Sequence, residues 1–198
     1  MKPEEIVDLV ILNPIKPGDS IEDKEYILDI LIMLNDNTSI DLEMQVNDLG
    51  DWDNRSLLYL CRQFNNVKRS GQYRDVIASH HIGLLDYTLF KDHPEFCGTY
   101  MMENVKDGYV FNSNFKLTVV ELKSTELATA EDEESGLVKW AKLFKATSWE
   151  ELKMIAKNDE SVTSAVNSVA YFTSDMLERK RMLEREDYLK REKYFRQV

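Results

Sequence analysis

The sequence predicts a protein of the α/β or α+β class, with one ordinary domain and an appendage. Strand-like and helix-like segments alternate in the first part of the chain, and helical patterns dominate from about Leu137 onward. The chain has 198 residues, of which 43% are hydrophobic, so it can bury a sizeable core. These observations favour a folded protein of sheet and helices over a disordered chain.

The predicted sheet begins with three apolar segments. Residues 3–14, PEEIVDLVILNP, begin with proline and two glutamates, which are typical of a helix start, and continue with a run rich in β-branched residues. This order predicts a short helix or turn that runs into a strand. Residues 16–20, KPGDS, are a predicted loop. Residues 26–34 and 39–46 are predicted as two strands because they are short and apolar.

The rest of the chain is predicted to add helices and two more strands. Residues 51–71 read as a helix, with Asp51 or Asp53 as its N-cap and Gly71 as its stop. The other predicted elements are a buried strand at 75–90, a loop at 91–98, a strand at 115–124, and helix from about Leu137 to the C-terminus. The last helix carries apolar pairs at a period of six residues, which wind round its axis and predict a projecting, solvated helix.

Composition and charge exclude several classes of protein. No apolar run reaches the roughly 18 residues that span a bilayer, and charges stand where a signal peptide needs its apolar stretch. Cys61 and Cys97 have no C-x-x-C partner, which indicates neither a zinc site nor a disulfide framework. We therefore expect a cytoplasmic protein with reduced thiols and no membrane partner. The net charge, 25 − 36 = −11, argues against broad attraction to nucleic acid.

The segments at 26–34 and 39–46 raise the main functional question. In SIDLEMQV, alternation puts Asp41, Glu43 and Gln45 on one face, which for an ordinary strand would be a wet face. The segment YILDILIML is apolar on both faces, so Asp29 is expected among neighbours that cannot solvate it. A buried carboxylate needs a partner, a raised pKa or a metal.

The loop between these strands decides whether the acids meet. A three-residue loop at 35–37, with Asn37 in the left-handed region, pairs Leu34 with Thr38 and places Asp29 opposite Glu43. A four-residue loop would instead put these two carboxylates on opposite faces. Two opposed carboxylates make a site for a hard divalent cation, which can activate water and neutralise charge on a phosphate.

At this point the residues resemble a known family. Asp29, followed after thirteen residues by Glu43-Met44-Gln45, resembles the signature of the PD-(D/E)XK nuclease superfamily. In particular it resembles the recombination-promoting nuclease and transposase branch, where the final lysine is commonly glutamine. The likeness covers nearly the whole chain, in segments that follow in the expected order: 18–46, the helix after it, 70–87, 117–124 and 136–156.

The resemblance implies a fold, a function and roles for residues. The fold would be an α/β restriction-endonuclease-like core, a mixed sheet flanked by helices, at residues 1–126, with the family's upstream helix expected to be absent. Residues 127–198 would form an acidic loop and a helical C-terminal extension. The function would be that of a Mg²⁺-dependent DNA endonuclease, with Mn²⁺ as an alternative, which hydrolyses phosphodiester bonds in recombination or transposition. Asp29 and Glu43 would bind the metal with the Met44 carbonyl, and Gln45 would orient water.

A group of basic residues supports DNA as the partner. Arg55, Arg62 and Arg69 recur every seven residues of the predicted helix at 51–71, on the same side as Tyr59 and Asn66. This stripe could grip phosphates, with Lys68 and Arg74 beside it. The alternative is an ordinary solvated face, with the opposite side packed on the sheet through Leu57, Leu58, Leu60, Cys61 and Phe64.

Three histidines and a second E-x-K pattern receive structural interpretations. His80 and His81 point to opposite faces of a strand, so these two and His93 are interpreted as structural or surface residues. Glu121 and Lys123 lack an identifiable opposed aspartate and are interpreted as a strand end. Two alternatives to the nuclease remain: a catalytically inactive nucleic-acid-binding or interaction module, and a remnant of a mobile element.

Overall fold

The computed structural model describes residues 6–11, 27–67, 71–157 and 159–171, except the side chains of 9–11 and 27–29. Its contacts divide the chain into a first unit, residues 1–145, and a second unit, residues 146–198. The predicted division at residue 126 stays a prediction.

The first unit contains a six-stranded mixed sheet with helices on both faces. The strands are β1 (Ile6–Ile11), β2 (Ile27–Leu34), β3 (Ser39–Gln45), β4 (Ser79–Leu85), β5 (Cys97–Glu103) and β6 (Val110–Glu121), and the helices are α1 (Trp52–Phe64), α2 (Ala130–Glu134) and α3 (Leu137–Lys145). The strand order is β1-β2-β3-β4-β6-β5. Strand β4 pairs in parallel with β3 and β6, and the other pairs are antiparallel. The predicted α/β class is confirmed.

The hairpin of β2 and β3 has the register of the three-residue loop, one of the two that the sequence left open. Asn37 has φ 65°, the left-handed region, and the Leu34 N–H donates to the Thr38 carbonyl at 2.9 Å. The Asp36 carboxylate accepts from the Thr38 N–H at 2.8 Å, which fixes the turn locally. The ladder consequently pairs Asp29 with Glu43.

Helix α1 is shorter than predicted, so the predicted stop at Gly71 is wrong. The helix ends at Phe64, and the Asn66 side chain then pairs with the backbone N–H and C=O of Ile77, at 2.9 and 3.1 Å. This pairing gives hydrogen-bond partners to the backbone N–H and C=O groups just before β4, and the chain leaves the helix at this point. Asp51 occupies the N-cap position without a side-chain capping bond.

The face of α1 that packs on the sheet also differs from the expectation. Trp52, Ser56 and Leu60 are the buried residues of the helix, at a spacing of four. Leu57 and Leu58 are 47% and 57% exposed, so the predicted packing through these two leucines is wrong. The observed face turns Arg55 toward β3 rather than toward solvent, as described below.

The predicted strands after α1 differ in length from the observed ones. Strand β4 covers Ser79–Leu85 rather than 75–90, because residues 73–75 form a 3-10 turn and the chain turns after Leu85. Strand β6 already begins at Val110, and its partner β5 was not predicted. Much of β5 is exposed at the sheet edge, so it lacks the apolar pattern of a buried strand.

Two hydrophobic clusters cover the two faces of the sheet. The cluster beside α1 contains Trp52, Leu60, Leu85, Tyr87, Leu117 and Val119. The cluster beside α3 contains Leu84, Phe96, Val120, Leu122, Val138 and Ala141. Neighbours along β4 and β6 enter opposite clusters because strand residues alternate in direction. The centre of the sheet is therefore enclosed, as is usual for parallel strand pairs.

The second unit is helical where it is described. It contains α4 (Trp149–Ala156), which Ser148 caps by accepting from the Glu151 N–H at 3.2 Å, and a helix at 160–171. The apolar pairs of the C-terminal repeat lie outside the described residues. Among the helices that the structure does describe, none has both the length and the apolar character needed to cross a membrane.

Candidate active site

The polar face of β3 is largely buried, unlike the wet face that an ordinary strand of this pattern would have. Glu43 is 2% exposed and Gln45 is 4% exposed, because α1 lies over this face of the sheet. Helix α1 packs on β4 and β6 and reaches β3 through side chains: the Gln63 amide donates to the Ser39 hydroxyl at 2.8 Å, and Arg55 contacts Glu43. Burial of these side chains implies that each polar atom needs a partner.

Arg55 provides a partner for both motif residues. Its Nη2 donates to Glu43 Oε1 at 2.8 Å and also to Gln45 Oε1. The Gln45 amide nitrogen donates in turn to the Asn47 carbonyl at 2.7 Å. The Arg55 side chain is 20% exposed, so this guanidinium lies between the buried carboxylate and solvent.

His81 is the site residue that the sequence interpretation did not include. Its side chain is fully buried, with Nδ1 3.1 Å from Asp41 Oδ2 and Nε2 3.6 Å from Glu43 Oε2. The rings of Trp52 and Tyr59 lie 5.9 and 6.4 Å from the imidazole centroid. Burial lowers the pKa of His81, but the interactions with Asp41 and Glu43 outweigh it, so the net pKa is raised.

The pairing of β3 with β4 brings His81 to this place. The parallel register sets Asp41 beside His81 and Glu43 beside Gly83. The alternation of β4 in the sequence showed that His81 and His80 face opposite ways, which the structure bears out. No local signal shows which strand lies beside β4, and that neighbour decides whether His81 meets a carboxylate.

Gly83 leaves room for the Trp52 side chain, which lies next to His81. A Cβ built on Gly83 would lie 2.1 Å from Trp52 Cζ2, and Trp52 is only 1% exposed. A side chain at position 83 would therefore displace the indole that stands next to His81. The glycine is needed for close packing rather than for an unusual backbone angle.

The comparison with known families now decides the identity of the fold. A family model described as PD-(D/E)XK nuclease family transposase matches residues 1–197. The chain belongs to this family. No curated protein and no solved structure is significantly similar to it. Membership supports a function of the nuclease or transposase type with DNA as substrate, and PD-(D/E)XK nucleases generally use divalent metals.

The surroundings of Glu43 in this PD-(D/E)XK chain fit a cation. Arg55 binds Glu43 Oε1, whereas Glu43 Oε2 is buried, lies 3.6 Å from His81 Nε2 and has no hydrogen-bond partner among the described residues. A cation would satisfy such a carboxylate oxygen. Within the described part of the chain, no cluster of three or more His, Cys, Asp or Glu side chains is arranged to hold a metal. The Asp29 side chain lies outside the described residues, although its backbone pairs with that of Glu43.

Several other buried polar atoms also lack a hydrogen-bond partner among the described residues. Near Glu43 they include Trp52 Nε1, Arg55 Nε, His81 Nε2 and Tyr87 OH. Burial is the largest cause of a raised pKa for Tyr87, so its hydroxyl keeps its proton and can donate. Native proteins leave few such groups unpaired, and a concentration of them indicates a place that binds a ligand or water.

The other predicted site residues lie apart from Glu43 or outside the described residues. The Met44 side chain packs on the cluster beside α3, so only its backbone carbonyl is available to the site face. Arg62 is exposed, with its guanidinium 5.9 Å from the centre of the Tyr59 ring, and Arg74 lies in the exposed 3-10 turn. Lys68 and Arg69 fall outside the described part. Because α1 ends at Phe64, the predicted stripe of three arginines on one helix is wrong.

His80, on the other face of β4, gives a testable pH dependence. Its Nε2 lies 2.8 Å from the Thr118 hydroxyl, and burial, with Lys116 and His81 nearby, lowers its pKa from 6.5 to about 4. As pH falls from 6.5 to 4, the unfolded chain therefore takes up a proton that the folded chain refuses, which favours unfolding. After discounting for partial exposure, we expect the free energy of unfolding to drop by about 2 kcal/mol across this range.

Chemical denaturation at a series of pH values measures this effect. The difference between the native chain and His80→Gln isolates His80, since glutamine can still reach Thr118. The native chain should lose stability relative to the variant only below about pH 6.5. A difference that stays constant from pH 7 to pH 4 would contradict the lowered pKa.

Proposed function

We propose that this chain is a divalent-metal-dependent DNA endonuclease that hydrolyses phosphodiester bonds in recombination or transposition. The observation that carries the proposal is that Arg55 of α1 contacts both Glu43 and Gln45 of β3. The backbone of Asp29 pairs with that of Glu43 between β2 and β3. Glu43 and Gln45 are buried side by side on one face of the sheet, in a chain that belongs to a nuclease family, which supports the proposal.

The metal would be held by Asp29 and Glu43, with the Met44 carbonyl as a further ligand. Mg²⁺ is the proposed ion and Mn²⁺ the alternative, because both accept carboxylate and carbonyl oxygens. When bound, the ion activates water and neutralises charge on the phosphate. In the reaction, the water oxygen forms a bond to phosphorus and loses a proton, while one ester oxygen leaves phosphorus and gains a proton.

Arg55 would supply the positive charge that glutamine cannot. Gln45 stands where the wider PD-(D/E)XK superfamily has a lysine, and glutamine can orient a water but carries no charge. The Arg55 guanidinium is always charged and contacts both Glu43 and Gln45. It is therefore placed to fix the Glu43 carboxylate and to stabilise negative charge that develops on the phosphate.

The experiment for the proposed function is cleavage of supercoiled plasmid by the full-length chain. Nicking that requires Mg²⁺ or Mn²⁺ and stops when EDTA removes the ion supports the proposal. Absence of cleavage with either ion, in protein that is folded by circular dichroism, would reject it.

Loss of the Arg55 charge should reduce cleavage strongly. We expect Arg55→Met to lower the cleavage rate about 100-fold. Glu43 would lose its hydrogen-bond partner, and the site would lose the positive charge that α1 places next to the motif. Arg55→Lys should restore part of the rate by keeping the charge. Initial rates at saturating DNA measure both variants.

Arg62→Met serves as the matched control on the same helix. Arg62 is exposed, so its loss should weaken DNA binding but leave the maximal cleavage rate unchanged. The slope of the logarithm of the binding constant against the logarithm of the salt concentration should fall by about the value of one phosphate contact. Equal losses of maximal rate in Arg55→Met and Arg62→Met would contradict a special role for Arg55. The same salt test extends to Lys68, Arg69 and Arg74 as proposed DNA-binding residues.

One observation favours a second candidate, a catalytically inactive DNA-binding module. Arg55 already occupies Glu43 Oε1 and Gln45 Oε1, so an internal ion pair closes part of the site. This module would bind DNA equally well with EDTA and after Glu43→Ala, and it would cut under neither condition. DNA-binding assays run beside the plasmid assay distinguish the two functions.

A further inference from the structure

Two buried atoms of the site face each other without a hydrogen bond. Glu43 Oε2 and His81 Nε2 are 3.6 Å apart, and among the described residues neither has a hydrogen-bond partner. The Glu43 side chain is 3% exposed and that of His81 is 0% exposed, so water outside the protein does not satisfy them. A carboxylate oxygen and an imidazole lone pair repel each other unless a proton or a metal ion lies between them.

The contact with Asp41 occupies one ring nitrogen of His81 and leaves the other available as a ligand atom. The Asp41 carboxylate lies 3.1 Å from Nδ1, where it accepts a hydrogen bond from the Nδ1–H. When the ring is neutral, Nε2 is therefore the nitrogen that directs a lone pair toward Glu43, and a metal ion there would replace the proton of the charged ring. Histidines that bind metals in proteins are usually held in this way, with a carboxylate on the other ring nitrogen.

The geometry and the surroundings also suit a shared cation. Two neighbouring ligand atoms bound at roughly 2.1–2.2 Å to an octahedral ion such as Mn²⁺ lie about 3.0–3.1 Å apart. The observed separation of 3.6 Å would have to close by about 0.5 Å. The rings of Trp52 and Tyr59 flank the imidazole and hold its orientation. The two atoms therefore require little movement to become neighbouring ligands.

We propose that His81 Nε2 and Glu43 Oε2 bind the same divalent cation, with Asp41 as the residue that positions the imidazole. This inference rests on the proposed function, because it names a third side-chain ligand beside Asp29 and Glu43 for its ion. An imidazole ligand favours Mn²⁺ over Mg²⁺, which prefers oxygen atoms and retains water. His81 would thus set the metal preference of the site.

Electron spin echo spectroscopy of the Mn²⁺-loaded native chain tests the inference directly. A histidine ligand adds modulation from a bound ¹⁴N nucleus, and this modulation should change to that of ¹⁵N when only the three histidines are ¹⁵N-labelled. Calorimetry should show that Mn²⁺ binds roughly tenfold or more tightly than Mg²⁺. Neither measurement depends on cleavage.

His81→Asn and His80→Asn form a matched pair for the same measurements. Asparagine at position 81 keeps an N–H donor for Asp41 but removes the ligand, so the histidine modulation should vanish and Mn²⁺ affinity should fall at least about tenfold. His80→Asn and His93→Asn should keep both properties. If His81→Asn does not fold, persistence of the signal in both of these controls still assigns it to His81.

The outcomes separate this inference from the proposed function. Mn²⁺ that binds in a Glu43-dependent manner without histidine modulation overturns the role of His81 and leaves the metal-dependent nuclease standing. Modulation that survives in folded His81→Asn likewise overturns the assignment. Absence of any Mn²⁺ or Mg²⁺ binding at millimolar concentration rejects both.

Discussion

Glu43→Gln is expected to reduce metal-dependent plasmid cleavage by at least about a thousandfold, because glutamine has the shape of glutamate but cannot bind the ion as an anion. The substitution also removes the charge that Arg55 Nη2 contacts at 2.8 Å, so the guanidinium loses its fixed position. Initial rates with Mg²⁺ and with Mn²⁺ measure the loss. Calorimetry on the same variant should show weaker metal binding.

Glu121→Gln is the matched control for this prediction. Glu121 is also 2% exposed and ends a strand, but it accepts from the Leu89 N–H and the Ser124 hydroxyl, each at 2.8 Å. These contacts indicate a structural role for its carboxylate. Cleavage by Glu121→Gln should stay within about threefold of the native rate. A Glu43→Gln protein that cleaves as fast as this control would contradict the proposed active site.

Gly83→Ala is expected to destabilise the first unit by about 2–3 kcal/mol. The added methyl group would lie 2.1 Å from Trp52 Cζ2, and this indole is buried between α1 and the sheet with no space to retreat. Urea denaturation followed by circular dichroism measures the change. Since Trp52 flanks His81, the variant should also bind Mn²⁺ less tightly than the native chain.

Gly98→Ala is the control that distinguishes the clash with Trp52 from a general effect of replacing a strand glycine with alanine. A Cβ on Gly98 would also meet an atom at 2.1 Å, but that atom is the carboxylate end of Glu95, which can rotate away. Its cost should stay below about 1 kcal/mol. Trp52→Phe in the Gly83→Ala background should recover stability, giving a non-additive pair. Equal costs for the two glycine variants would rule out the indole as the cause.

The site shows how this PD-(D/E)XK chain keeps a positive charge near a motif that lacks lysine. Gln45 occupies the usual lysine position on β3, and Arg55 reaches it from α1. The charge thus comes from a helix rather than from the strand itself. Its proposed role differs from the gripping of phosphates expected for a surface stripe, because Arg55 is engaged with Glu43 and Gln45.

The sequence by itself determined the elements whose cause is local. The Asn-Asp-Asn loop, with Asn37 in the left-handed region, fixed the register that pairs Asp29 with Glu43, because turn geometry and the alternation of strands act over a few residues. The α/β class followed from the order of apolar patterns. The family followed from the motif and the segments after it, and the match over residues 1–197 confirms it.

Only the tertiary structure decided the features that depend on distant parts of the chain. Pairing of Asn66 with Ile77 follows the end of α1 at Phe64, and packing of α1 on β4 and β6 brings Arg55 to the buried Glu43 of β3. The parallel pairing of β3 with β4 sets His81 between Asp41 and Glu43. Periodicity shows which residues of a strand share a face, but it carries no information on which strand lies alongside. That choice is made by packing across the whole sheet.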